Sequence, residues 1–147
     1  MFDRLTRTTD SVVPTLARVA LGLVILPHGL QKAFGLFGGA GFDNSVAFLG
    51  TLGIPAAVAA LVIAIEVLGG LALLVGGLGR AAAAGVAAVM LGAVLTVHRG
   101  QFFMNWTGTA AGEGYEFHIL AITLAAIVIV AGSGRWSLDR QLSTSRN

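Results

Sequence analysis

The sequence predicts an all-α protein, a four-helix transmembrane bundle whose N- and C-termini are both cytoplasmic. Three observations lead there. Charged residues make up 11% of the 147, against roughly 25% in soluble domains. Hydrophobic types make up 56%, and the mean hydropathy is +0.86. At ~20 residues per span, a chain of this length holds about four membrane helices joined by short loops. A small domain needs polar groups to cover its surface, so the composition excludes a soluble monomer. Disorder is excluded too, because disordered chains are charge-rich and poor in apolar residues.

The first span covers residues 12–34 and carries Arg18, Pro27, His28 and Lys32. Arg4 and Arg7 resemble the start of a signal peptide, but Pro27 to Lys32 offers no small-residue cleavage site, so the helix is read as retained. A glycine-rich loop follows at Gly38-Gly39-Ala40-Gly41. A short interfacial helix is expected over 44–52, capped by Asp43 or Asn44. Pro55 opens the second span, 55–76, as its first helical residue. Gly77 to Arg80 form a tight turn into the third span, 81–98. The loop from Gly100 to Gly114 holds Phe102, Phe103 and Trp106, and the fourth span, 116–132, ends at Gly132-Ser133-Gly134. The whole chain reads as one integral membrane domain.

The positive-inside rule gives the orientation. Arg4, Arg7, Arg80, Arg135, Arg140 and Arg146 fall on the side of the termini, against Lys32 and Arg99 on the other. Gly22 and Gly29, Gly85 and Gly92, and Gly69-Gly70 are candidate contact points, where small residues let membrane helices approach closely.

An ionisable group inside the bilayer costs ~2.5–3.5 kcal/mol on insertion scales, so each one needs a reason. Glu66 lies 11 residues past Pro55, roughly 16 Å into the span at 1.5 Å per residue. It has two readings: an interhelical bond or pair with Arg18, or proton and ligand chemistry. Arg18 reads as a snorkelling or pairing residue. His28, Lys32, His98, Glu116 and His118 are all expected toward the outer boundary and, with Glu66, make the candidate ligand-binding cluster; interfacial hydrogen bonding is the other reading of the three histidines. Nine of the 11 aromatic residues fall on that same side. Neither haem nor a metal is supported by the spacing: Glu116 and His118 lie about 200° apart on a helix. There is no cysteine, so no thiol centre, and a net charge of +2 gives no nucleic-acid footprint.

These residues resemble the DoxX family of bacterial four-helix inner-membrane proteins. Arg18, Gly22, His28-Gly29, Lys32 and Gly35 look like its first-helix signature. Glu66, Gly69-Gly70, Gly76 and Arg80 resemble its second-helix motif. Gly114 to Phe117 and Gly132 to Asp139 resemble its last two motifs. The resemblance implies a multi-pass protein of the bacterial cell inner membrane. It also implies links to quinone-dependent oxidation of sulfur compounds, to thiol and oxidative-stress responses with soluble redox enzymes, or to quinone detoxification. Two functions are therefore expected. One is the membrane subunit of a quinone-linked redox system, with quinone as cofactor at the cluster of His28, Lys32, Glu66, His98, Glu116 and His118 and a soluble enzyme as partner. The alternative is a non-enzymatic anchor or accessory subunit of a larger membrane complex, its basic tail at Arg135, Arg140 and Arg146 holding acidic partners or membrane lipid.

Overall fold

A computed structural model describes residues 5–110 and 112–144. Helix α1 spans Val12–Phe34, α2 Phe42–Thr51, α3 Ala56–Val75, α4 Gly79–His98, α5 Glu116–Ala131 and α6 Leu138–Thr144. No strand occurs among the described residues. Helices α1, α3 and α4 are each long and apolar enough to cross a membrane; α5, at 16 residues, is apolar but shorter. The four pack as a closed ring. Helix α1 lies against α3 and α5, and α4 lies against the same two, while α1 and α4 hardly meet across the centre. This is a helical membrane bundle with both termini at one end.

The centre of the ring is narrow and filled by modest side chains: Leu21, Ile25, Leu73, Ala83, Val86, Ala125 and Val128. The larger apolar residues, among them Leu23, Leu61, Leu68, Leu95, Leu120 and Val130, are exposed on the outside. A water-soluble bundle would show the reverse, so this arrangement suits hydrocarbon as solvent.

Glycine sets the closest helix contact. A Cβ on Gly22 would stand 2.9 Å from the Gly70 carbonyl, and one on Gly70 would stand 2.9 Å from Leu26 Cβ. Lower contact distances follow at Gly29, where a Cβ would lie 2.7 Å from the Val67 amide. Gly85 faces Ile65, but nothing lies within 4 Å of a Cβ on Gly92, so that glycine is not a packing contact within the bundle.

Three boundaries differ from expectation for local reasons. Helix α2 begins at Phe42 with Gly41 as its N-cap; Asp43 sits in its first turn and Asn44 donates back to the Ala40 carbonyl. Pro55 is the N-cap of α3 rather than its first helical residue, and its carbonyl accepts from Val58 and Ala59. Helix α4 starts two residues early, at Gly79, because a distant carboxylate caps it. Asp139 accepts from the amides of Leu78 at 2.7 Å and Gly79 at 3.0 Å.

Two helices contain a π-helical turn, Ile65–Gly69 in α3 and Val94–His98 in α4. Such turns add a residue to the helical repeat and recur at functional sites. Here they fall on Glu66 and His98.

Candidate functional site

The polar residues separate into two centres, one at each end of the bundle. At the end with the termini, Arg18 is buried and donates to four carbonyls. Nε reaches Ser133 at 2.8 Å, Nη1 reaches Leu73 at 2.8 Å and Leu74 at 2.6 Å, and Nη2 reaches Trp136 at 2.8 Å. The expected partnership with Glu66 is therefore corrected. Leu73 and Leu74 lie in the last turn of α3, where carbonyls lack intrahelical partners and the helix dipole favours a cation. The segment after α5 supplies the other acceptors.

That segment is a clasp. Asp139 caps α4 and accepts from Ser133 Oγ at 2.6 Å, and its own amide donates to the Gly76 carbonyl. Thr15 Oγ1 donates to the Arg135 carbonyl at 2.5 Å, and Arg80 donates to the carbonyls of Arg7 and Ile129. Gly76 and Gly79 permit the approach, since a Cβ on either would run into Ser137 or Ser133. Arg135 and Arg140 are engaged with Asp10, at 2.8 and 2.9 Å, rather than displayed alone as a basic tail. Arg146 lies outside the described residues. This end reads as architecture.

The other end carries the candidate site. Lys32 Nζ lies 2.6 Å from Glu66 Oε1 and 2.7 Å from Oε2. The pairing follows from helix geometry. Side chains on a helix lean toward its N-terminus, so Lys32 leans back to the level of Gly29. Gly29 packs on the backbone of Glu66 and Val67, which brings the π-helical turn of α3 alongside. Glu66 is almost wholly buried, with 4% of its side chain exposed, whereas Lys32 keeps 34%.

The three histidines join this pair. His28, one residue before Gly29, lies within electrostatic reach of Lys32 and Glu66, and its ring faces Phe117 at 6.3 Å. His118 on α5 is buried; its ring lies 4.4 Å from that of His98 on α4, and its charge neighbours are His98 and His28. His98 Nδ1 lies 3.0 Å from the Glu113 carbonyl oxygen. One atom stands out: His118 Nδ1 is buried without a hydrogen-bond partner. An unsatisfied buried polar atom costs about 1–3 kcal/mol and calls for an explanation, such as a ligand or water.

Glu116 does not enter this cluster, which corrects its expected place. Its Oε1 accepts from the Met104 amide at 2.8 Å and from Trp106 Nε1 at 3.1 Å, so it orders the aromatic loop above the site. Glu113 does likewise, accepting from the Asn105 amide. Among the described residues no group of three His, Cys, Asp or Glu side chains is placed to hold a metal ion.

A small helical membrane protein with a buried charge pair and a histidine cluster at one end is the class defined so far. The DoxX family model matches residues 13–99. The chain belongs to the DoxX family. It is similar to the Bacillus subtilis (strain 168) protein named "Putative oxidoreductase CatD", with 31% identity over 124 residues, covering 84% of this chain and 82% of that protein. No solved structure matches it. The matched family region includes Arg18, His28, Lys32, Glu66 and His98, whereas Glu116 and His118 lie beyond it.

Proposed function

We propose that this protein is the membrane subunit of a quinone-linked redox system of the bacterial inner membrane, and that its polar centre takes the quinone head. The observation that carries the reading is the Lys32–Glu66 pair, held within an apolar bundle beside a buried imidazole nitrogen that has no partner. The donor set fits such a group. A quinone head needs hydrogen-bond donors at its carbonyls and an apolar or aromatic surface beside its ring. Lys32, His28 and His118 are donors of that kind, Phe117 is the aromatic neighbour of both histidines, and Glu66 fixes the Lys32 ammonium. When bound, a quinone supplies two-electron chemistry that these side chains lack.

The chain's own part is proton handling and orientation. Lys32 Nζ donates to Glu66 Oε1 at 2.6 Å within a setting that excludes bulk water from the carboxylate. The name of the relative from Bacillus subtilis supports an oxidoreductase role in the same direction. With no cysteine in the chain, oxidation of a sulfur or thiol substrate falls to a soluble partner enzyme.

Mild purification into lipid nanodiscs followed by organic extraction tests the reading. Quinone is expected to accompany the wild-type protein, and its amount to fall in Lys32→Met and Glu66→Gln. No extractable quinone in the wild type, or equal amounts in all three, would sink it.

A further inference from the structure

We infer that His118 and His98 form a proton route from the buried centre to the aqueous surface at the end of the bundle opposite the termini. The inference deepens the reading of that centre as one that exchanges protons, and rests on it.

The route is laid out by four helices. Lys32, one helical turn beyond His28 on α1, and Glu66 on α3 both act electrostatically on His28. His28 and His98 are the charge neighbours of His118. Glu116, on the same helix as His118, is turned away to Met104 and Trp106. The His118 and His98 rings are in contact, with centroids 4.4 Å apart and planes tilted by 40°. His98 also lines an open cavity of about 410 Å³ with Val97, Gly100, Gln101, Gly112 and Glu113. His98 thus belongs both to the buried cluster and to a surface that water reaches.

The hydrogen bonding of His98 suits a relay. A backbone carbonyl only accepts, so the Glu113 oxygen assigns the proton to His98 Nδ1 and leaves Nε2 with a lone pair. That lone pair takes a proton from cavity water, and a swing of the ring, which already lies against His118, presents it to the bare Nδ1 of His118, an atom with no hydrogen-bond partner in the resting geometry. Each transfer moves one proton from a protonated nitrogen to a lone pair, and no electron moves. The reverse direction delivers a proton from the centre to the cavity. The orphan nitrogen is then explained as a relay atom, and the π-helical turn at Val94–His98 as the feature of α4 on which His98 is carried.

The test uses the full chain in nanodiscs, labelled with nitrogen-15 at histidine and with no quinone added. Water exchange is read at the ring N–H of His118 by NMR. Although His118 is buried, exchange is expected to be fast in the wild type and about tenfold slower in His98→Phe, which keeps a ring against His118 but carries no proton. His98→Gln keeps a donor for the Glu113 carbonyl, likewise lacks a titratable ring, and slows exchange equally; it replaces the Phe variant if that one fails to fold. Unchanged exchange in a folded variant overturns the route. That result would leave the quinone reading standing, and a failure to extract quinone would leave the exchange result standing.

Discussion

Lys32 on α1 and Glu66 in the π-helical turn of α3 meet through both carboxylate oxygens, at 2.6 and 2.7 Å, yet they share water unequally. The carboxylate is 4% exposed and the lysine side chain 34%. The geometry depends on Gly29, whose missing side chain lets the two helices come together at that level.

That inequality predicts an asymmetric response to mutation. Lys32→Met strands a buried carboxylate and should cost about 3 kcal/mol, the lower end of the range for a broken buried pair. Glu66→Gln leaves an ammonium that already reaches solvent, and should cost about 1 kcal/mol, the scale of a partly exposed pair. Reversible unfolding in mixed micelles measures both. Equal losses would mean that the burial difference does not govern the pair.

Two glycines should behave oppositely. Gly29→Ala forces a methyl against the Val67 amide and should destabilise the bundle by about 1–3 kcal/mol, as overpacking does. Gly92→Ala meets nothing within 4 Å. It should be neutral or stabilising by up to ~1 kcal/mol through helix propensity alone. Thermal melts of the two single variants settle the comparison; a destabilised Gly92→Ala would contradict it.

Orientation can be read chemically because the chain has no cysteine. Thr109→Cys in the loop before α5 and Gln141→Cys in α6 place single thiols at opposite ends, both at exposed positions. In intact bacterial cells an impermeant maleimide should label the first and reach the second only after permeabilisation. The opposite pattern would invert the bundle.

Acid should loosen the clasp at Asp10. A hydrogen bond from Arg135, then the charges of Arg135 and Arg140, hold its carboxyl below the ordinary value of 3.8. A depressed folded-state pKa contributes stability that is present above the ordinary value and lost as pH falls through the folded one. The pair is exposed, so its effect is small and screened by salt. Asp10→Asn should lower the melting temperature slightly at neutral pH in low salt, and should match the wild type in acid or in high salt. A difference that survives in acid would point to some other role for Asp10.

The spans were legible in the sequence because hydropathy integrates over about 20 residues and tolerates local error. That His28, Lys32, His98 and His118 lie toward one end was legible for the same reason, since depth along a span follows from counting residues; counting puts Glu66 nearer the midplane, and its pair with Lys32 joins it to them. Partner choice was not. Arg18 and Lys32 carry the same charge on the same helix, and only the glycine contacts and the clasp decide which one meets Glu66. Glu116 was misplaced because its orientation depends on how the loop holding Met104 and Trp106 folds back, which no periodicity encodes. The π-helical turns left no trace in composition. Asp139 was visible as part of a motif, but its bonds to Leu78 and Gly79 join residues 61 and 60 positions apart.

The clasp also bears on how the chain is made. Arg18 enters the bilayer well before two of its four acceptors exist, because Ser133 and Trp136 follow it by 115 and 118 residues. Until that segment emerges, the guanidinium has to be held by lipid phosphates, water or the insertion machinery. Closure of the bundle is thereby tied to synthesis of the segment after α5. A product truncated before Ser133 would keep every span and still carry an unsatisfied arginine, a flaw that quality control in the membrane could recognise.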